Sequence, residues 1–442
     1  MYQPPLLLEP LRAVASASRL RVAYSGGCDS HVLLHSLAEL RDQLPVPLHA
    51  LHINHGLSPH ADDWAMHCTR ICARLGVPLD VVRVQVGHRK ALGLEAAARE
   101  VRLAAFEQAM IPREALLLGH HADDQAETLL LQLLRGSGVR GAAAMPTIQV
   151  FGPGWMCRPL LGWGRAELRE YARSLGLSWV EDESNQDEAL ERNFLRKEIV
   201  PRLAGHRGGV VKALARSARH FAEARCLLEE RADEDLALVG VDGGRRLNTV
   251  ALAALHHARR CNLLRSWFDR LNLPPPDSTR LERICTELLA ARSDHIPLVE
   301  WPGVEVRRYR AEIHAHRPLP YHDASAVVRT AGVRNLDLGE GCGRLTDLPA
   351  VNLEVRFRRG GERCASRHPG GTSDLKRKLQ TAGVVPWIRD RIPLLYVGNE
   401  LVYICGLGGC GTTASEMAPT WVPSDGLRTL LPFDGPFRQT NA

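Results

Sequence analysis

Residues 20–30 read LRVAYSGGCDS. Leu20, Val22, Ala23 and Tyr24 compose a short buried strand. From His31 to Leu40 the apolar residues Val32, Leu33, Leu34, Leu37 and Leu40 recur at a helical period. The stretch therefore predicts strand, glycine turn and helix start. At such a turn backbone N–H groups and the positive end of a helix dipole converge. Gly26 and Gly27 let the backbone approach an anion closely and take positive φ. The turn is suited to holding phosphate.

It is not a Walker A loop. No Gly-Lys-Ser or Gly-Lys-Thr follows, and the turn has no lysine to neutralise a transferred γ-phosphate. Asp29 is an acid among phosphate-binding donors, which is tolerable if it acts through Mg²⁺. The plainer alternative is a turn that only joins a strand to a helix. The full string Ser-Gly-Gly-x-Asp-Ser is more specific than that. It resembles the PP-loop of ATP pyrophosphatases, enzymes that cleave ATP between the α and β phosphates. Cys28 fills the variable place and reads as a small packing residue.

Outward from the turn, strand and helix alternate across residues 1–204. Strands are expected at Leu48–Ile53, Leu79–Val86 and Ala115–Leu118. Helices are expected at His60–Leu75, with Trp64, Cys68, Ile71 and Leu75 inward, at Leu94–Met110 and at Asp123–Leu134. Such units imply an α/β domain with a parallel sheet covered on both faces. Ligands in such sheets bind at the carboxyl ends of the strands. The turn at Ser25, Asn54-His55 and Gly119-His120-His121 all fall there.

The second chemical motif is LLLGHHADDQAET, residues 116–128. Asp124 and Glu127 lie three apart on the predicted helix and share a face. With Asp123, His120 and His121 they gather three acids and two histidines at one strand end. Asp123 alone reads equally as a helix cap. The cluster suits Mg²⁺ or a cationic substrate; without further soft ligands it does not suit zinc. Arg99 and Arg102 share a helix face, as do Arg192 and Arg196. Each pair reads either as a phosphate or RNA clamp or as surface pairing.

The chain has 442 residues, 45% hydrophobic and 24% charged, which describes an ordinary protein of two or three domains. No apolar run is long enough to cross a membrane, and no basic region precedes the apolar N-terminal stretch, so secretion is not expected. The net charge of +6 is mild. Lysine occurs only at Lys90, Lys197, Lys212, Lys376 and Lys378; arginine supplies the rest. The 11 cysteines include no C-x-x-C. Their spacing shows no disulfide framework, argues against zinc or an iron–sulfur cluster, and fits a reducing cytoplasm.

Residues 205–317 are expected to form a mainly helical, arginine-rich domain, with helices at Val210–Leu238, Leu252–Leu271 and Ser278–Ala291. A strand at VEVRRYRAEIHAH places Arg307 and Arg308 on opposite faces. Residues 318–352 read as an irregular linker, and 353–442 as a small α+β domain with a basic helix, SDLKRKLQ. Trp387 beside that helix either stacks a base or packs the core.

Together these stretches resemble tRNA(Ile)-lysidine synthetase. The matching pieces are SGGCDS, HINHGLS, EAAAREVR, LGHHADDQAET, LRGSGVRG, RPLLGW, EDESN and RNFLRKEIVPRL, then RRCNLLRSW and SDLKRKLQTAGVVPWIRDRIPLLY. One departure is Leu103, where the family usually has an aromatic. The resemblance implies a PP-loop domain followed by two tRNA-binding domains. It implies ATP-dependent joining of L-lysine to position two of the wobble cytidine in the CAU anticodon of tRNA(Ile). The wobble carbonyl is adenylated, pyrophosphate leaves, and lysine then displaces AMP. ATP would be held by Ser25, Gly26, Gly27, Cys28, Asp29, Ser30, Asn54 and His55, with Mg²⁺ on Asp29, Asp123 and Asp124. His120, Asp124 and Glu127 would handle lysine and protons, and Arg99, Arg102, Arg192 and Arg196 phosphate charge or RNA. Contacts to tRNA are expected from Arg259, Arg260, Arg265, Arg307, Arg308, Lys376, Arg377, Lys378, Trp387 and Arg389. No membrane partner is expected, and a homodimer stays open. The rivals are a tRNA thiolase, which the lack of cysteine pairs disfavours, and a non-catalytic tRNA-binding protein.

Overall fold

The computed structural model describes residues 2–54, 56, 58–84, 94–181, 191–291, 295–330, 332–365, 372–410 and 419–432, with backbone only for 94–99 and 372. The chain divides into two compact units, Met1–Leu227 and Leu228–Ala442.

In the first unit the strands are β1 (Arg19–Ala23), β2 (Leu48–Asn54), β3 (Leu79–Arg83), β4 (Glu114–Leu117), β5 (Ile148–Phe151) and β6 (Gly154–Cys157). They form one sheet in the order β3-β2-β1-β4-β6-β5. All neighbours are parallel except β5 and β6, an antiparallel hairpin. The hairpin was not expected; its turn is the Gly152–Gly154 stretch, whose strands are too short to show a period. The helices are α1 (Cys28–Glu39), α2 (Ala61–Leu75), α3 (Leu94–Ala109), α4 (Ala122–Leu134) and α5 (Arg165–Ser174).

Side chains alternate across the sheet. Leu20, Val22 and Leu117 pack with Val32, Leu33 and Leu37 of α1 on one face. Leu51, Leu116 and Met156 pack with Phe106 of α3 on the other. Chain order reverses on either side of β1, so the carboxyl ends of β1 and β4 flank a switch point, the usual ligand crevice of such sheets. The unit continues through α6 (Glu191–Phe194), a π-helical turn at Leu195–Ile199 and α7 (Val200–His206). It runs into the long helix α8 (Val210–Val239), where the division between the units falls.

Helices dominate residues 205–317, but a five-stranded sheet joins them. Strands β7 (Gly240–Val241), β8 (Arg246–Asn248), β9 (Leu298–Trp301), β10 (Val304–Tyr309) and β11 (Glu312–His316) form an antiparallel sheet in the order β7-β8-β11-β10-β9. Helices α9 (Thr249–Ala254), α10 (His257–Arg270) and α11 (Ser278–Arg283) accompany it. The single helix expected at Leu252–Leu271 is broken before His257: the His256 side chain accepts a hydrogen bond from the Ala258 N–H and starts a new helix. Residues 318–352, expected to be irregular, supply three strands, β12 (Val327–Arg329), β13 (Leu336–Asp337) and β14 (Arg344–Thr346). β12 pairs with Glu354–Arg356 and β14 with Thr420–Val422, so this stretch is woven into the C-terminal sheets. Strands of two or three residues carry too little pattern to be read from sequence.

Candidate functional site

The helix after β1 starts at Cys28, three residues earlier than its apolar period suggested, because Gly27 takes an extended conformation and serves as its N-cap. Gly26 has φ +85°, which disfavours any side chain, and a Cβ there would lie 3.0 Å from Cys68 Sγ. The turn is braced from within. Ser25 Oγ lies 3.0 Å from Ser30 Oγ, the Gly27 N–H donates to Ser25 Oγ (3.3 Å), and Ser30 donates to the Gly27 carbonyl (3.0 Å). Outside it, the Val180 N–H donates to the Gly26 carbonyl (3.0 Å). The free N–H groups of the first turn of α1 are thus held open to a cleft.

That cleft, about 560 Å³, is lined by Ser25, Gly27, Cys28, Asp29 and Ser30 on one side and Gly119, His120, His121 and Asp124 on the other. Leu51, Ile53, Leu103, Phe106 and Met156 give it an apolar wall, while Arg102, Arg158, Arg165, Arg169 and Arg196 give it positive charge. An apolar wall with a cationic rim matches a nucleotide. Gly119 permits the close fit: a Cβ there would stand 3.0 Å from the Ser30 nitrogen and 3.1 Å from the Asp29 carbonyl carbon.

His121, rather than Asp123, caps α4. Its Nδ1 accepts from the Asp124 N–H (3.4 Å) and its own N–H donates to Asp124 Oδ2 (3.1 Å), a capping box. With Nδ1 accepting, the ring proton sits on Nε2, which lies 3.5 Å from Asp29 Oδ2 and 3.5 Å from Asp124 Oδ2. Burial opposes charge on this ring, but the hydrogen bond to Asp29 and the carboxylates of Asp124, Asp29 and Asp123 outweigh it. The His121 pKa is raised. His120 differs. Burial, with help from Arg158, Arg192 and Arg102, pushes its pKa down to about 3, so it is neutral. Its Nδ1 accepts from Arg158 Nε (3.3 Å), leaving the proton on Nε2.

Asp124 is buried, which alone would raise its pKa. His121, His120, Arg192 and the His121 N–H reverse that and hold it low. Glu127, 1% exposed, does not line the cleft. Arg192 Nε meets its Oε2 at 3.0 Å, and Arg196 meets it with Nε at 2.7 Å and Nη2 at 2.9 Å. Arg196 Nη2 also reaches Asp124 Oδ1 at 3.0 Å. Glu127 therefore anchors Arg196, which faces the cleft, and Arg192, which does not line it.

Of the residues expected to act together, those of the turn meet His120, His121 and Asp124 at the cleft, which Glu127 does not line. Asp123 is turned aside, accepting from the Arg165 N–H at 2.8 Å. Asn54 lines the cleft but is committed to its own loop, donating to Asp62 Oδ1 (2.9 Å) and accepting from the Gly56 N–H (3.0 Å). Arg102 lines the cleft; His55 and the Arg99 side chain lie outside the described residues. Trp64, expected inward, faces the cleft. Arg158, Arg165 and Arg169 were missed as site residues. The stretch RPLLGW, which begins at Arg158, was their only signal.

Carboxylate oxygens are the ligands Mg²⁺ prefers. Asp29 Oδ1 is buried with no hydrogen-bond partner among the described residues, and such an atom is costly unless a cation or water meets it. Asp29 therefore fits the ion well. Asp124 fits through a carboxylate already shared with Arg196 and His121.

In the second unit most residues expected to touch RNA are structurally engaged. Arg259 pairs with Asp235, and Arg260 donates to the carbonyls of Ala253 and Leu255. Arg308 Nη1 donates to three carbonyls, those of Leu288, Leu289 and Ala291. Arg389 is buried and donates to Val384 and Tyr309. Trp387 is packed by His314, His316 and Tyr309, with Arg307 5.5 Å above its ring. Lys378 Nζ approaches Cys364 Sγ at 2.9 Å. Arg265, Lys376 and Arg377 are exposed. Cys364 and Cys410 form a disulfide, a pairing that the cysteine spacing did not show. No described helix is long and apolar enough to cross a membrane.

Residues 6–203 match the PP-loop domain family, residues 247–314 the TilS substrate binding domain and residues 353–424 the TilS substrate C-terminal domain. The chain is 39% identical over 421 residues to a tRNA(Ile)-lysidine synthase of Coxiella burnetii, covering 93% of each chain. It is 43% identical over 416 residues to that of Alkalilimnicola ehrlichii, covering 92% of this chain and 93% of the relative. It is 39% identical over 426 residues to that of Methylococcus capsulatus, covering 93% and 96%. The chain belongs to the tRNA(Ile)-lysidine synthase family.

Proposed function

We propose that this protein uses ATP to join L-lysine to position two of the wobble cytidine in the CAU anticodon of tRNA(Ile), in the cytoplasm. The observation that carries this reading is the meeting of the phosphate-holding turn with Asp29, His121 and Asp124 at one crevice. In the first step the cytidine carbonyl oxygen bonds to the α-phosphorus and pyrophosphate leaves. The N–H groups at the start of α1 hold the phosphate oxygens, and the arginines of the rim offset their charge. Asp29 and Asp124 would hold Mg²⁺, which would supply further positive charge to the triphosphate.

In the second step the lysine ε-amine bonds to carbon two and AMP leaves. Asp124, ionised throughout, attracts the lysine ammonium, and the Asp29 carboxylate, oriented by the His121 Nε2–H, receives its proton. Neutral His120 donates a hydrogen bond from Nε2 and is no base at neutral pH. Arg196, fixed by Glu127, supports the phosphate being released. Exposed Arg265, Lys376 and Arg377 remain for tRNA. A thiolase needs a reactive cysteine at the cleft, but burial pushes the Cys28 thiol up to about 11. Incubation with ATP, radiolabelled lysine and unmodified tRNA(Ile) tests the reading: lysine in RNA with AMP release supports it, and RNA binding without turnover rejects it.

A further inference from the structure

The second unit gathers four metal-ligand groups that lysidine formation leaves unused. His257 and Cys261 stand one turn apart on α10. Glu282, on α11, and Cys285, in the π-helical turn Ile284–Leu288, stand three apart. His257 Nε2 lies 3.4 Å from Cys261 Sγ and 3.5 Å from Glu282 Oε2. The ligand atoms of His257, Cys261 and Cys285 all lie within 4.8 Å of one another. Cys285 is buried, Cys261 half-buried, and the His257 and Glu282 side chains, each 55% exposed, form the outer rim.

The His257–Cys261 and His257–Glu282 separations match edges of a coordination sphere, and Cys285 lies within 4.8 Å of His257 and Cys261. A tetrahedral ion with metal–sulfur bonds of about 2.3 Å and metal–nitrogen or metal–oxygen bonds of about 2.1 Å sets sulfur–nitrogen edges near ~3.5 Å and nitrogen–oxygen edges near ~3.4 Å. Two sulfurs, one imidazole and one carboxylate also form a donor set suited to zinc rather than Mg²⁺. Sequence spacing hid the set because the pairs come from two helices and neither makes a C-x-x-C.

We propose that His257, Cys261, Glu282 and Cys285 bind one zinc-class divalent ion that ties α10 to the helix containing Cys285. The ion is held by two thiolates, a carboxylate and a neutral imidazole, and the two thiol protons pass to solvent. The resulting net negative charge is offset by Arg260, whose guanidinium acts electrostatically on Cys285. With four protein ligands the site is closed and structural rather than catalytic.

The test uses the full chain, purified with reduced thiols, and Co²⁺ or Zn²⁺ as the probe. The expected result is one equivalent of metal, a sulfur-to-cobalt charge-transfer band with tetrahedral d–d bands, and a higher Tm with zinc. Cys261→Ser and Cys285→Ser should lose the band and bind at least ~100-fold more weakly. The rim variants His257→Gln and Glu282→Gln, which leave the core intact, should weaken binding by at least ~10-fold. Absence of the cobalt–sulfur band, unchanged affinity in the rim variants, or a Cys261–Cys285 disulfide in protein kept under reductant would overturn the proposal.

Discussion

His121 Nε2 lies 3.5 Å from Asp29 Oδ2, joining the phosphate-holding turn after β1 to the acid-rich helix after β4. One ring thus caps α4 and orients the acid of the turn. His121→Ala should cost about 1 kcal/mol from the lost cap and lower kcat by about 100-fold or more, because Asp29, the proton acceptor, loses the Nε2–H that orients it. Thermal melts and turnover assays on one preparation check both.

The two histidines have opposite linkage to pH. The raised pKa of His121 stabilises the fold fully below the ordinary histidine value of about 6.5, and that stability is lost as pH rises through the raised folded value. His120 has a folded pKa of about 3, so the unfolded chain binds its proton first. Its linkage weakens the fold progressively as pH falls below about 6.5. Melts from pH 4 to pH 8 should show less acid destabilisation in His120→Asn than in the parent. Equal pH profiles would contradict the assignment.

Glu127 is buried between Arg192 and Arg196. Glu127→Gln leaves two partly buried guanidiniums short of a charge, a loss of about 3 kcal/mol. Chemical denaturation measures it. Because Arg196 is also released, kcat should fall even at temperatures where the variant is folded, whereas a purely structural role leaves kcat of the folded fraction unchanged.

Gly119→Ala forces a methyl group against the backbone of Asp29 and Ser30. Neither neighbour is a flexible side-chain end, so overpacking costs about 1–3 kcal/mol. The start of α1 shifts, and the KM for ATP should rise several-fold while the KM for lysine changes less. Steady-state kinetics with each substrate varied tests this.

Trp387 packs against His314 and His316 rather than standing free for a base. Trp387→Leu should lower Tm and leave the salt dependence of tRNA binding intact. Removing Arg265, Lys376 and Arg377 together should leave Tm nearly unchanged. It should also flatten the dependence of log K on log salt, by about 0.7–0.9 for each phosphate that the variant no longer neutralises.

The parallel sheet and the crevice were legible because long buried strands and amphipathic helices carry clear periods, and because SGGCDS and HHADDQAE end in polar residues at strand ends. The identities of the acids were legible; their partners were not. Nothing near Glu127 in sequence shows that Arg192 and Arg196 cover it, since those residues return from a distant segment. Arg158 was hidden for the same reason. In the second unit, arginine-rich composition suggested RNA contact, yet Arg308 and Arg389 spend their guanidiniums on backbone carbonyls. Composition does not distinguish a phosphate ligand from a buried structural donor.

The most direct test follows ATP, lysine and tRNA(Ile) together in the parent and in Asp29→Asn. The parent should release one AMP for each lysine entering the RNA, at the wobble cytidine. Asp29→Asn should still fold and bind tRNA while losing lysine incorporation by at least ~100-fold, because Mg²⁺ and the His121 proton both lose their partner. Full lysine incorporation in Asp29→Asn would contradict the assignment of this crevice as the place where ATP is cleaved.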